Sequence, residues 1–150
     1  MSKRILVGDP QRDEFKQLLK VHALVEKSAK DAGLPKTLVE LVKIRASQLN
    51  GCAFCLDMHA KEAVENGEDP RRLFVLSAWR ETDLFSEPER AALELAEAMT
   101  TLSQTQDVPD AVYDRATAVF TEEQYIAVAW SIAVINTFNR LAVTARKDLP

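Results

Sequence analysis

ELVKIRASQLNGCAFCLDMHAKEA, residues 40–63, decides how the rest of the chain is read. Val39, Leu41, Val42 and Ile44 mark a largely buried helix, roughly Lys36 to Leu49, with Pro35 in place for its first turn. Asn50-Gly51 then closes that helix. A new one starts at Cys52 and runs to about Glu65, where Asn66-Gly67 stops it. Two helices joined by so short a reversal lie side by side, so Glu40 on the first can reach the cysteines and histidine of the second.

Working outward, helix signals recur and strand signals do not. Phe15, Leu18, Leu19, Leu24 and Val25 keep helical spacing from Arg12 to Ala32, ended by Gly33 and Leu34-Pro35. Asp69 with Pro70 opens a fourth helix, to about Arg80. Ser86 with Glu89 forms a capping box for a fifth, to about Leu102. Pro109 opens a short helix toward Phe120, and Thr121 with Gln124 caps a long final helix through Leu141. With four glycines in 150 residues and no alternating β-branched run, the expectation is an all-α, single-domain bundle of about seven helices.

Composition narrows the function classes. Nineteen basic against 23 acidic residues give a net charge of −4, and no Lys/Arg patch of the kind nucleic acid requires is present. The N-terminal MSKRILVGDP has too short an apolar run for a secretory leader, and the 125–135 run YIAVAWSIAVI is too short to span a bilayer. The reading is a cytoplasmic protein without a nucleic-acid or membrane partner. In a reducing compartment, a close pair formed by the chain's two cysteines points to catalysis, redox sensing or metal binding rather than a structural staple.

On one helix, Cys52, Cys55 and His59 fall within an arc of about 60°. Cysteines three apart also have Cα atoms near the ~5–6 Å a disulfide prefers, so the pair can open and close with little backbone movement. The helix start favours thiolate at Cys52, whereas His59, four residues past Cys55, can take that residue's proton. These two effects leave open which cysteine attacks. Glu40, an acid among apolar neighbours, needs a partner, and orienting His59 or relaying protons to a thiol would supply one.

Glu40, Cys52-Ala53-Phe54-Cys55 and His59 together resemble the core motif of the alkylhydroperoxidase D-like proteins of the carboxymuconolactone decarboxylase superfamily. The stretches AWRETDLFSEPERAALELAEAMT (78–100) and INTFNRLAV (135–143) are similar to that family too. The resemblance implies an all-helical subunit that forms a homo-oligomer, a trimer or hexamer. It also implies a thiol peroxidase with no metal or organic cofactor. In that scheme the Cys55 thiolate attacks a hydroperoxide, Cys52 resolves the sulfenic acid, and an external dithiol or redox partner protein reopens the disulfide. His59 is the implied base and Glu40 the outer member of its relay. Phe54 departs from the pattern, which carries a second histidine there.

Other readings stand beside this one. Cys52, Cys55 and His59 supply three zinc donors but lack an obvious fourth, and a thioredoxin-type site would need a βαβ pattern that is missing. A thiol redox sensor without turnover is one alternative, and lactone decarboxylase-type chemistry is another. His22 keeps core spacing and reads as an edge-of-core histidine, Trp79 and Trp130 as core or interface residues. Asn136, Asn139 and Arg140 read as partners for buried polar groups. Arg71-Arg72, unfavourably placed in a helix first turn, reads as solvated surface or as one side of a subunit contact.

Overall fold

The structure is a computed structural model that describes residues 3–150. Its helices are α1 (Asp13–Asp31), α2 (Lys36–Asn50), α3 (Ala53–Glu65), α4 (Pro70–Phe74), α5 (Glu87–Thr100), α6 (Leu102–Thr105), α7 (Asp110–Val119) and α8 (Glu122–Ala145), with a 3-10 segment at Leu76–Glu81. No strand occurs among the described residues, so the all-helical class holds.

Local chemistry explains most of the boundaries. At α5 and α8 the caps are reciprocal: Ser86 and Thr121 accept from the backbone three residues on, and Glu89 and Gln124 reach back to the cap N–H. Asp69 accepts from the Arg71 N–H at 2.9 Å, with Pro70 occupying the first helical position. Gly51 ends α2 at φ 64°, a left-handed conformation that glycine adopts without a Cβ penalty. The chain can therefore turn sharply into α3.

Three boundaries differ from expectation. The fourth helix stops at Phe74 and continues only as the 3-10 segment, broken at Ala78 (φ −115°, ψ 30°). Arg90, on α5, donates to the carbonyls of Trp79, Arg80 and Thr82 at 3.2, 3.3 and 3.0 Å, so acceptors that would extend a helix are held from outside. Helix α8 runs four residues past Leu141 and ends on Arg146, a non-glycine residue at φ 48°. Cys52 is the N-cap of α3 rather than its first residue.

Helix α2 is central, packing against α3, α5 and α8. One of its faces gives Leu38, Val39 and Val42 to a large apolar cluster with Leu95 and Ala96 of α5, Ala116 of α7 and Val128 and Ile132 of α8. Leu41 and Ile44 join a second cluster with Leu76, Trp79, Phe85 and Leu93. Burying each such large side chain is worth ~1.5–3 kcal/mol. By length and composition α8 would suffice to cross a membrane; here it packs against α1, α2, α3, α5 and α7. Trp130 lies on its outer face, 54% exposed, so it is not a core residue of this chain. Trp79 is buried and donates its indole N–H to Glu97 at 2.9 Å. Arg72 is not solvated surface: it pairs with Glu68 and Glu89 and stacks over Phe85, because the chain itself supplies the acids.

Candidate active site

A polar stripe runs down the otherwise apolar α2. Glu40, Lys43 and Ser47 are three and four residues apart, share one side of the helix, and are all buried. Across from them, α3 begins at Cys52 because the cysteine caps it, its sulfur accepting the Cys55 N–H at 3.4 Å. The two sulfurs are 2.7 Å apart, both thiols are free, and both residues are almost wholly buried.

His59 is one helical turn past Cys55, and its Nδ1 lies 3.0 Å from Glu40 Oε2 and 3.2 Å from Glu62 Oε2. Burial pushes the Glu40 carboxyl up, but hydrogen bonds and charges from His59 and Lys43 together outweigh burial and hold its pKa below the usual value. An ionised Glu40 can only accept, so Nδ1 carries the proton between them. Lys43 continues the chain, 3.4 Å from Glu40 Oε1 and in contact with Glu26 of α1. Glu26, Lys43, Glu40, His59 and Glu62 thus form one alternating line of charge and hydrogen bonding, none of it deeply buried without a partner.

The thiols differ in environment. Cys52 is pulled down to about 6, first by the hydrogen bond from the Cys55 thiol, then by the Cys55 backbone N–H, Asn139 and the nearby His59, against the opposing effect of burial. Donating that proton, together with burial, pushes Cys55 up. The pair therefore titrates as a unit across the 2.7 Å between its sulfurs. Access differs between the two. Cys55, and not Cys52, lines a cavity of about 270 Å³. Phe15, Leu19, Val134, Phe138 and Leu141 make its apolar walls, and His22, Glu26, Lys43, His59 and Glu62 bring polar groups into it. Of the two adjacent sulfurs, only that of Cys55 is placed to meet a ligand.

All four residues singled out in the sequence, Glu40, Cys52, Cys55 and His59, come together here. His22 also reaches the cavity, half-buried against Phe138 at 5.7 Å between ring centroids, and burial followed by the charge of Lys43 lowers its pKa. The two asparagines of α8 meet buried partners, whereas Arg140 is exposed and bonds Asn136 one turn back. Asn139 donates to Ser47 at 3.0 Å and accepts from Asn50 at 2.9 Å, while Asn136 donates to Thr100. Sequence reasoning missed Lys43, Glu62, Glu26 and Lys147. Only the first carried a signal, its step of three from Glu40. Among the described residues, the three-donor group that could hold a metal is Glu40, His59 and Glu62, with ligating atoms within 4.8 Å of one another. It differs from the Cys52, Cys55, His59 set considered from sequence, and in it the Nδ1 proton already bridges to the carboxylates.

A Cys-x-x-Cys pair at the start of a helix, with one sulfur on an apolar cavity and a carboxylate–imidazole pair behind it, defines a class of helical thiol proteins. The carboxymuconolactone decarboxylase family model matches residues 14–98, and the chain belongs to that family as an alkylhydroperoxidase D-like member. It is 43% identical over 125 residues to YdfG of Bacillus subtilis, an uncharacterized protein, spanning 83% of this chain and 84% of that one. Identity to Escherichia coli YnjA, also uncharacterized, is 31% over 121 residues, 81% of this chain and 64% of that one. A crystal structure from Agrobacterium tumefaciens, described as a protein of unknown function assigned to antioxidant defence as AhpD, superposes with TM-score 0.90 at 35% identity over 99% of both chains. The debrominase Bmp8 shares the fold at TM-score 0.81 and 20% identity, over 92% of this chain and 72% of that one.

Proposed function

We propose that the protein is a thiol peroxidase that reduces organic hydroperoxides through the Cys52/Cys55 couple. The observation that carries this reading is Cys55 at the wall of an apolar cavity, with a second sulfur 2.7 Å away and His59 held by Glu40 beside it. In the first step the Cys55 thiolate attacks the terminal oxygen of ROOH. The O–O bond breaks, ROH leaves after gaining a proton, and Cys55 becomes a sulfenic acid. Cys52 then attacks the Cys55 sulfur and expels water, and an external dithiol supplies two electrons to reopen the disulfide. His59, through Nε2, takes the thiol proton and returns one to the departing oxygen, while Glu40 holds its tautomer. The apolar walls suit an alkyl hydroperoxide better than hydrogen peroxide.

The antioxidant-defence description of the Agrobacterium relative agrees with this reading, and the debrominase neighbour shows that the fold also serves other chemistry. Our reading further includes a cytoplasmic, single-domain subunit that assembles as a trimer or hexamer and takes electrons from a dithiol or redox partner protein.

The test is consumption of cumene hydroperoxide by metal-free protein with a dithiol, with free thiols counted before and after. Turnover that Cys55→Ser lowers by ~10³-fold or more is expected, with loss of both thiols in the unsubstituted protein. Thiols that stay reduced under peroxide would overturn the peroxidase. Oxidation without turnover, accompanied by a change of assembly, would replace it with a redox sensor.

A further inference from the structure

The two sulfurs are 2.7 Å apart and only Cys55 lines the cavity, so a charge placed at the cavity wall bears on which sulfur reacts. Among the described residues, two lysines line that cavity. Lys43 is tied to Glu26 and Glu40, whereas Lys147 makes no ion pair among the described residues. Its position is built by the chain. Arg146 turns left-handed at the end of α8 (φ 48°), and the Lys147 N–H closes the turn on the Ala142 carbonyl at 3.0 Å. The Lys147 ammonium then lies 3.9 Å from the centre of the Phe54 ring, the residue immediately before Cys55. A left-handed arginine is an uncommon conformation, and here it brings the next residue back over the start of α3.

We propose that Lys147 is a positioning residue for the thiol chemistry, held on the Phe54 ring so that its charge favours thiolate at the cavity-facing Cys55. The other titratable groups facing this space do not fill that role. From α1 come His22 and Glu26, the first kept toward its neutral form by burial and the second an acid committed to Lys43. Lys43 comes from α2 with its charge shared between two carboxylates, and α3 adds His59, bridged to Glu40, and the acid Glu62. Proton exchange between the sulfurs spans only 2.7 Å, so a modest field suffices to shift its balance. The direction of the Lys147 charge on Cys55 is favourable to thiolate. The π face of Phe54 holds the ammonium without neutralising it, as a carboxylate would.

The inference rests on Cys55 as the reactive sulfur but not on peroxide turnover, and the experiment keeps the two apart. In a Cys52→Ser background, where serine can still cap α3, the rate of Cys55 alkylation by iodoacetamide is followed against pH, with Lys147 intact, Lys147→Met and Lys147→Arg. Methionine keeps the packing and removes the charge. It should raise the Cys55 midpoint by about one pH unit, roughly tenfold less thiolate below it. Arginine should restore the profile, and the difference should shrink in 1 M salt. Superimposable profiles for lysine and methionine would overturn the proposal. So would a shift that arginine fails to reverse and that tracks a fall in Tm, since Lys147 would then act through tail packing. A clear Lys147 effect without peroxide turnover would count against the peroxidase alone.

Discussion

The two sides of α2 have been built by opposite rules. Toward α5, α7 and α8 the helix presents Leu38, Val39 and Val42 to a cluster in which Ala92, Leu95, Ala96, Ala116 and Ile132 are fully buried. Its polar groups are equally buried but each has a partner: Glu40 meets the imidazole of α3, Lys43 meets Glu26 of α1, and Ser47 meets the Asn139 amide of α8. The apolar side gains from every methylene it hides, while the polar side must satisfy each group it buries before it contributes anything. Stability should therefore reside on one side and reactivity on the other.

That division can be broken by experiment. Leu95→Ala, in the apolar cluster, should cost ~2–5 kcal/mol of stability by leaving a cavity, read by denaturant unfolding. The alkylation pH profile of the remaining folded protein should not move, and a profile that shifted with it would show the two sides to be coupled. Glu40→Gln should do the reverse. It removes the ionised acceptor that fixes the His59 tautomer, so the peroxide step should slow by ~10²-fold, while the isosteric amide keeps most of the packing. A change within threefold would remove Glu40 from the chemistry.

Ser47→Ala sharpens the contrast, because it deletes a single oxygen. That oxygen accepts from Asn139 at 3.0 Å and donates to the Lys43 carbonyl at 2.7 Å. Stranding a buried amide donor should cost ~1–3 kcal/mol, and a Tm equal to that of the unsubstituted protein would mean Asn139 finds another partner. The smallest effect is that of pH on thiol ionisation. With Cys52 held at about 6, the thiolate is the form present above that value and is lost as pH falls through it. The thiolate's ultraviolet absorbance should then drop about tenfold for each unit further down. A midpoint near the ordinary thiol value would show that the cap and the shared proton do not activate the pair.

How much of this was legible depends on how far apart the cooperating residues lie. Caps are local, so Ser86 with Glu89 and Thr121 with Gln124 declared their helices, and Asn50-Gly51 declared the reversal that aligns α2 with α3. The motif was equally readable, since Glu40 reaches His59 across that one reversal. The 3-10 segment that follows the fourth helix was not, because the guanidinium that takes the carbonyls at its far end belongs to Arg90 on another helix. Lys147 and Glu26 were hidden for the same reason. Each comes from an element distant in sequence from the cysteines, and a lone lysine or glutamate on a helix face or chain turn reads as solvated. Arg72 misled the reading because its acids, Glu68 and Glu89, are brought in by the fold.

The line of charge from Glu26 through Lys43 to Glu40 also constrains the lineage that carries it. Lys43, only 4% exposed, bridges both acids, so losing it removes a partner from each, whereas losing either acid leaves Lys43 with the other. Single-step loss of Lys43 should therefore cost more than loss of either acid. Related chains should keep Lys43 more strictly than either acid, a constraint set by electrostatics rather than by shape.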